Sequence, residues 1–161
     1  MIFVTVGTQL PFDRLITAVD EWAATNREQK VVMQSGKGDF SPLHCEACGY
    51  VEPTEWEKLF SEASFVIAHA GMGTILKCLD ACKPLIVMPR QGSLGEHRND
   101  HQMATASQFI DVPGVIVVHD SEELIAAIQI ILNGKCQSRL SQPENLNRLI
   151  TELQQFADIQ V

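Results

Sequence analysis

No stretch of this 161-residue sequence comes near the roughly 18 uninterrupted apolar residues of a membrane span. The opening MIFVTVG also lacks the basic start and extended apolar segment of a secretory signal. A soluble, unprocessed chain is expected. Basic residues are scarce: 12 Lys and Arg stand against 20 Asp and Glu, a formal net charge of -8. That balance argues against nucleic acid and against unaided adhesion to anionic lipid, both of which need basic surface. Zinc-finger spacing is missing as well. Cys45 and Cys48 in HCEACG form a CxxC, but no second CxxC or downstream HxxxH completes four ligands. With an odd total of five cysteines, the reading is free thiols in a reducing cytosol, not a disulfide framework. Internal repeats and low-complexity tracts are absent, and at 45% hydrophobic residues the chain is expected to be one domain, residues 1 to 161, with its own core.

What is present alternates between two periods. IFVTV (2 to 6), KVVMQ (30 to 34), SFVIA (64 to 68), PLIVM (84 to 88) and GVIVV (114 to 118) are too continuously apolar for strands with one wet face. They read as strands buried on both faces, hence a parallel sheet. Between them, Leu15, Ile16, Val19 and Trp22 form one helical stripe, and Leu124, Ile125, Ile128 and Leu132 another. Thr54 and Glu57 have the form of a capping box opening a helix with Trp56, Leu59 and Phe60. GYVEP (49 to 53) is a candidate short strand, and 35 to 49 reads as a surface loop or ligand flap. The fold class is α/β, an open doubly wound parallel sheet of Rossmann-like form. A last stripe, Leu146, Leu149, Ile150, Leu153 and Phe156, covers this sheet or docks on a second chain.

In such sheets ligands bind outside the carboxyl ends of strands, and three loops qualify. GTQLPFD (7 to 13) offers Gly7 for close backbone approach and Thr8 and Gln9 as donors, and reads equally as an ordinary strand-to-helix turn. AHAGMGTILK (68 to 77) carries Gly71, Gly73 and Thr74 at a helix start, an arrangement suited to phosphate, with His69 either a structural residue or a ligand contact. It is neither GxGxxG nor a Walker A loop. PRQGSLGEHRNDHQ (89 to 102) holds Glu96, His97, Asp100, His101 and Gln102. His97 and His101 are four apart, but Gly95 and the polar residues around them place the helix start near Asn99 or Asp100, and HExxH order is absent. A solvated charged loop is the alternative.

HAGMGTILKCLDACKPLIVMPR followed by GEHRNDHQMATA resembles the glycosyltransferase family 28 C-terminal domain, the UDP-sugar-binding half of the two-domain GT-B fold. GEHRNDHQ in particular is similar to the small catalytic subunits of two-subunit bacterial exopolysaccharide or capsule glycosyltransferases. The resemblance implies a metal-independent hexosyltransferase with no cofactor, UDP-sugar being the donor substrate. It implies His69 against the diphosphate, with Gly71, Gly73 and Thr74 holding the phosphates. His101 and Gln102 would grip sugar hydroxyls, and Gly7 and Thr8 would face the cleft. Where many relatives have a Glu for the ribose, this chain has Lys77. An ammonium has no acceptor lone pair, so the role passes to Glu96 or is unfilled, with Lys77 turned to solvent.

A donor half alone has no acceptor site. The general base must lie within hydrogen-bond reach of the acceptor hydroxyl, and the resemblance implies that it belongs to the acceptor half, here a second polypeptide. The resemblance implies that this partner is a membrane-anchored, acceptor-binding subunit presenting a lipid-linked (polyprenyl) saccharide. It would hold this chain, otherwise cytoplasmic, at the inner face of the membrane. The competing readings are a non-catalytic nucleotide-binding regulatory module and a fragment of a UDP-sugar epimerase of the same fold.

Overall fold

A computed structural model describes residues 1 to 8 and 10 to 134. The apolar stripe from Leu146 to Phe156 and the donor role expected of Gln9 lie outside the described residues. Strand β1 (Ile2–Thr5) is followed by α1 (Asp13–Thr25), β2 (Val31–Gln34), β3 (Glu46–Cys48), α2 (Pro53–Glu62), β4 (Phe65–His69) and α3 (Met72–Asp80). Then come β5 (Leu85–Met88), a 3-10 turn (Gly92–Leu94), α4 (His101–Ser107), β6 (Val115–Val117) and α5 (Ser121–Leu132). The strands form one six-stranded sheet in the order β3-β2-β1-β4-β5-β6, and every neighbouring pair is parallel.

The five apolar runs form β1, β2, β4, β5 and β6, and β1, β2 and β5 are buried at every position. Their side chains alternate between two cores. Ile2, Val4, Met33, Ile67 and Ile86 pack with Leu15, Val19 and Trp22 of α1 and Leu124 and Ile128 of α5. Phe3, Val32, Val66, Ala68 and Val87 pack with Leu59 and Phe60 of α2, Ile75 and Leu79 of α3, and Ala106 and Phe109. Two dry faces require apolar residues at both parities, which is why these strands read as unbroken runs.

Two details differ from expectation. First, the sixth strand is Glu46–Cys48, inside the stretch read as a loop, and GYVEP is not a strand. An edge strand exposes one side and needs no apolar pattern, so β3 left no signal. The stretch is held from α1: buried Asp20 accepts N–H bonds from Leu43, His44 and Cys45 at 3.0, 2.8 and 3.1 Å. Burial alone would raise the Asp20 pKa, but these N–H donors bring it below the usual value. Second, α2 begins at Pro53, with Glu52 as its unbonded N-cap, so no Thr54–Glu57 capping box forms. Pro fits the first helical position because it has no N–H to satisfy and its φ is already helical. After α4 ends at Ser107, the following turn aims Phe109 inward, fully buried, and leaves Ile110 exposed.

Candidate functional site

The strand order reverses between β1 and β4, and in a doubly wound sheet that switch point opens a crevice at the carboxyl ends of the two strands. The loop after β1 and the loop after β4 flank it, and the loop after β5 closes one side. They enclose a cleft of about 320 Å³ lined by Gly7, Thr8, His69, Gly71, Gly73, Thr74 and Gln102, with Val6, Leu10, Arg90 and His97. Eight of the residues singled out from the sequence, His97 among them, thus meet in one place.

His69 ends β4 and its ring lies between two glycines. A Cβ at Gly7 would stand 2.8 Å from His69 Cε1, and one at Gly71 would overlap the Nε2 edge of the same ring. Gly7 also has φ +76°, a left-handed conformation that disfavours any side chain. Both glycines therefore make room for the imidazole. Gly73 is different: a Cβ there meets nothing within 4 Å, so the space above its backbone is open. Helix α3 starts beside it with Gly71 as N-cap, and no side chain caps the helix. Its first-turn N–H groups, which have no partners within a helix, are thus left at the cleft with the positive end of the helix dipole.

His69 Nδ1 is buried and has no hydrogen-bond partner among the described residues. Burial, then the nearby Arg90 charge, lower the His69 pKa to about 4. At neutral pH the ring is uncharged and one nitrogen carries its single proton. Gln102 lies on α4 with its Oε1 accepting the Arg90 backbone N–H at 3.1 Å, which leaves its amide N–H₂ for the cleft.

Glu96, Asp100 and His101 are not among the cleft-lining residues. Both Glu96 carboxylate oxygens are engaged by Arg14 of α1, at 2.6 and 2.8 Å, and one also accepts the Gln91 N–H at 2.9 Å. Arg14 further donates to the carbonyls of Pro89 and His119, so the pair straps the third loop to the sheet edge. Asp100 accepts the Gly92 N–H at 2.8 Å and closes that loop on itself. His101 is exposed at the first turn of α4. His97 precedes the helix, so the two imidazoles do not share a helical face. Among the described residues, no three or more His, Cys, Asp or Glu side chains gather as metal ligands. Lys77 turns onto α2 instead of simply entering solvent: it pairs with Glu57 and lies 5.3 Å from the Trp56 ring centroid. Arg90, 3% exposed, also lines the cleft, and its one signal in the sequence is its place directly after a buried strand, in MPRQG.

The family model described as glycosyltransferase family 28 C-terminal domain matches residues 1–159. The UDP-N-acetylglucosamine transferase subunit ALG13 of Homo sapiens is 31% identical over 121 residues, 67% of this chain and 10% of the human protein. This chain thus spans a tenth of that relative's length. An NMR solution structure of ALG13 superposes with TM-score 0.61 at 21% identity, covering 92% of this chain and 94% of that one. The crystal structure of the glycosyltransferase of kitacinnamycin gives TM-score 0.67 at 19% identity, covering 94% of this chain and 39% of the other. Both have the same fold as this sheet, the second within a longer chain.

Proposed function

We propose a function from one premise: this chain belongs to the glycosyltransferase family 28 C-terminal domain family. It is the UDP-sugar-binding, catalytic subunit of a two-subunit glycosyltransferase that transfers a hexose to a polyprenyl-linked acceptor in exopolysaccharide biosynthesis. The observation that carries the reading is the uncapped start of α3, with open space over Gly73, at the point where the strand order reverses. Free N–H groups and a positive dipole end favour an anion there. A diphosphate extends across the turn to Thr74 and His69, and the sugar reaches Gln102, whose amide donates to its hydroxyls. Thr8 faces the same space from the first loop.

In transfer, the acceptor oxygen bonds to the anomeric carbon as the bond from that carbon to the UDP oxygen breaks. The charge that develops on the departing diphosphate is stabilised by the α3 N–H groups, so no metal ion is needed for it. The acceptor proton goes to a base on the second polypeptide. The human relative is itself named as a subunit, which supports an enzyme assembled from two chains. Among the described residues no helix is long and apolar enough to cross a membrane. In this reading the partner supplies the membrane anchor and brings this chain to the cytoplasmic face. Glu96, tied to Arg14, and the remote Lys77 leave ribose recognition to other groups of the cleft.

The test is a transfer assay with labelled UDP-sugar and a lipid-linked acceptor, run with and without the partner. Donor binding without turnover by this chain, and turnover on adding the partner, is the expected result. Rapid transfer by this chain alone would overturn the two-subunit reading and point to a base within it, His69 or His97 first.

A further inference from the structure

Arg90 follows β5, and its guanidinium is buried without a carboxylate bonded to it among the described residues. It is solvated by main chain instead. One terminal nitrogen donates to the Val6 carbonyl at 2.9 Å and to the Leu10 carbonyl, and Nε reaches the Pro11 carbonyl at 3.4 Å. The Phe12 ring lies beneath it, 4.9 Å from centroid to guanidinium carbon. All of these groups belong to the first loop or its edges. The Arg90 backbone N–H goes to Gln102 in the third loop, and its charge faces His69 in the second. One residue therefore bonds to the first and third loops and acts through its charge on His69 of the second. Burial disfavours the guanidinium charge and the Glu96 carboxylate offsets part of that, so an anion arriving in the cleft would favour it further.

We propose that Arg90 is the positioning residue of this cleft: a guanidinium clamp that holds Gly7 and Thr8 in register with His69 and Gln102, its charge left free to favour a bound diphosphate. The role rests on the donor-binding reading for its purpose, but not for its geometry. A flat fork with several N–H groups satisfies carbonyls arriving from different directions, and a lysine ammonium on a flexible stem does not. The same charge helps keep His69 neutral, together with burial and the weaker influence of His97.

Two variants separate the clamp from the charge. Arg90→Lys keeps the charge and loses the fork, and Arg90→Met loses both. Three readouts are taken on the whole chain: amide hydrogen exchange at Gly7 and Thr8, the His69 ring titration by NMR, and UDP affinity by calorimetry. Arg90→Lys is expected to speed exchange at Gly7 and Thr8 and leave the His69 titration in place. If ordering of the first loop drops to about one molecule in ten, its apparent Kd for UDP rises about ten-fold. Arg90→Met is expected to show the same faster exchange, a His69 titration moved toward the ordinary histidine value, and weaker binding still. Wild-type exchange and wild-type UDP affinity in a folded Arg90→Lys would overturn the clamp while leaving donor binding intact. Absence of UDP binding by the wild type would overturn the donor reading instead, and the ligand-free exchange and titration would still decide the clamp. Should the Arg90 variants not fold, Phe12→Leu removes the ring under the guanidinium. It should raise exchange at Gly7 and Thr8 to a smaller degree, and unchanged exchange there would count against the clamp.

Discussion

Replacing Gly73 with alanine should move stability and ligand affinity in opposite directions. Gly73 is the second residue of α3, exposed, and a Cβ there meets no protein atom within 4 Å. Alanine in a helix is favoured over glycine by up to about 1 kcal/mol, so the folded state should gain a few tenths to about 1 kcal/mol. The new methyl instead occupies the space through which a phosphate would approach the α3 N–H groups. A hydrogen bond to a charged partner contributes about 1.5–3 kcal/mol, so its loss weakens UDP binding roughly ten- to hundred-fold. Gly71→Ala is the contrasting change: its methyl runs into the His69 ring, and overpacking of that kind costs about 1–3 kcal/mol of stability. Thermal melts and isothermal calorimetry with UDP on both variants read the two quantities separately. A Gly73→Ala protein that melts no lower than wild type and binds UDP just as tightly would refute the placement of the diphosphate at α3.

Four further outcomes are expected. Because the folded His69 pKa is lowered from 6.5 to about 4, its burial contributes stability that is fully present above pH 6.5 and lost as pH falls toward 4. The ceiling on that loss is about 3 kcal/mol, and His69→Gln should flatten urea-denaturation midpoints over the same window, whereas an unchanged slope would show that the ring is not buried neutral. Asp20→Ala leaves three N–H groups of the 43–45 segment without their acceptor and should cost about 2–4 kcal/mol; a loss below about 0.5 kcal/mol in chemical denaturation would mean that water replaces the carboxylate. Gln102→Ala should reduce the preference for UDP-sugar over UDP, read as the ratio of the two Kd values, and an unchanged ratio would favour a plain nucleotide-binding module over a glycosyltransferase. EDTA should leave transfer by the assembled enzyme unaffected; activity lost to chelator and restored by manganese would return His97 and His101 to consideration as ligands.

Periodicity and local chemistry made much of this protein legible before its fold was known. A strand with both faces dry must be apolar at every position, and the five runs that met this condition are β1, β2, β4, β5 and β6. A parallel sheet then places the loops that follow β1, β4 and β5 at one end, which is why Gly7, Thr8, His69, Gly71, Gly73, Thr74 and Gln102 were found together. Other features depended on which residues meet across the chain. Glu96 looked available until Arg14, 82 residues away, took both of its oxygens. Lys77 found Glu57 and the Trp56 ring, and β3 pairs with β2 where Asp20 of α1 holds the segment that leads into it. Arg90 met the Val6 carbonyl 84 positions earlier and became the floor of the cleft. The apolar pattern is written residue by residue because burial acts on each side chain wherever its neighbours come from. A polar side chain's role is set by the one partner that satisfies it, and only tertiary structure brings that partner within 3 Å.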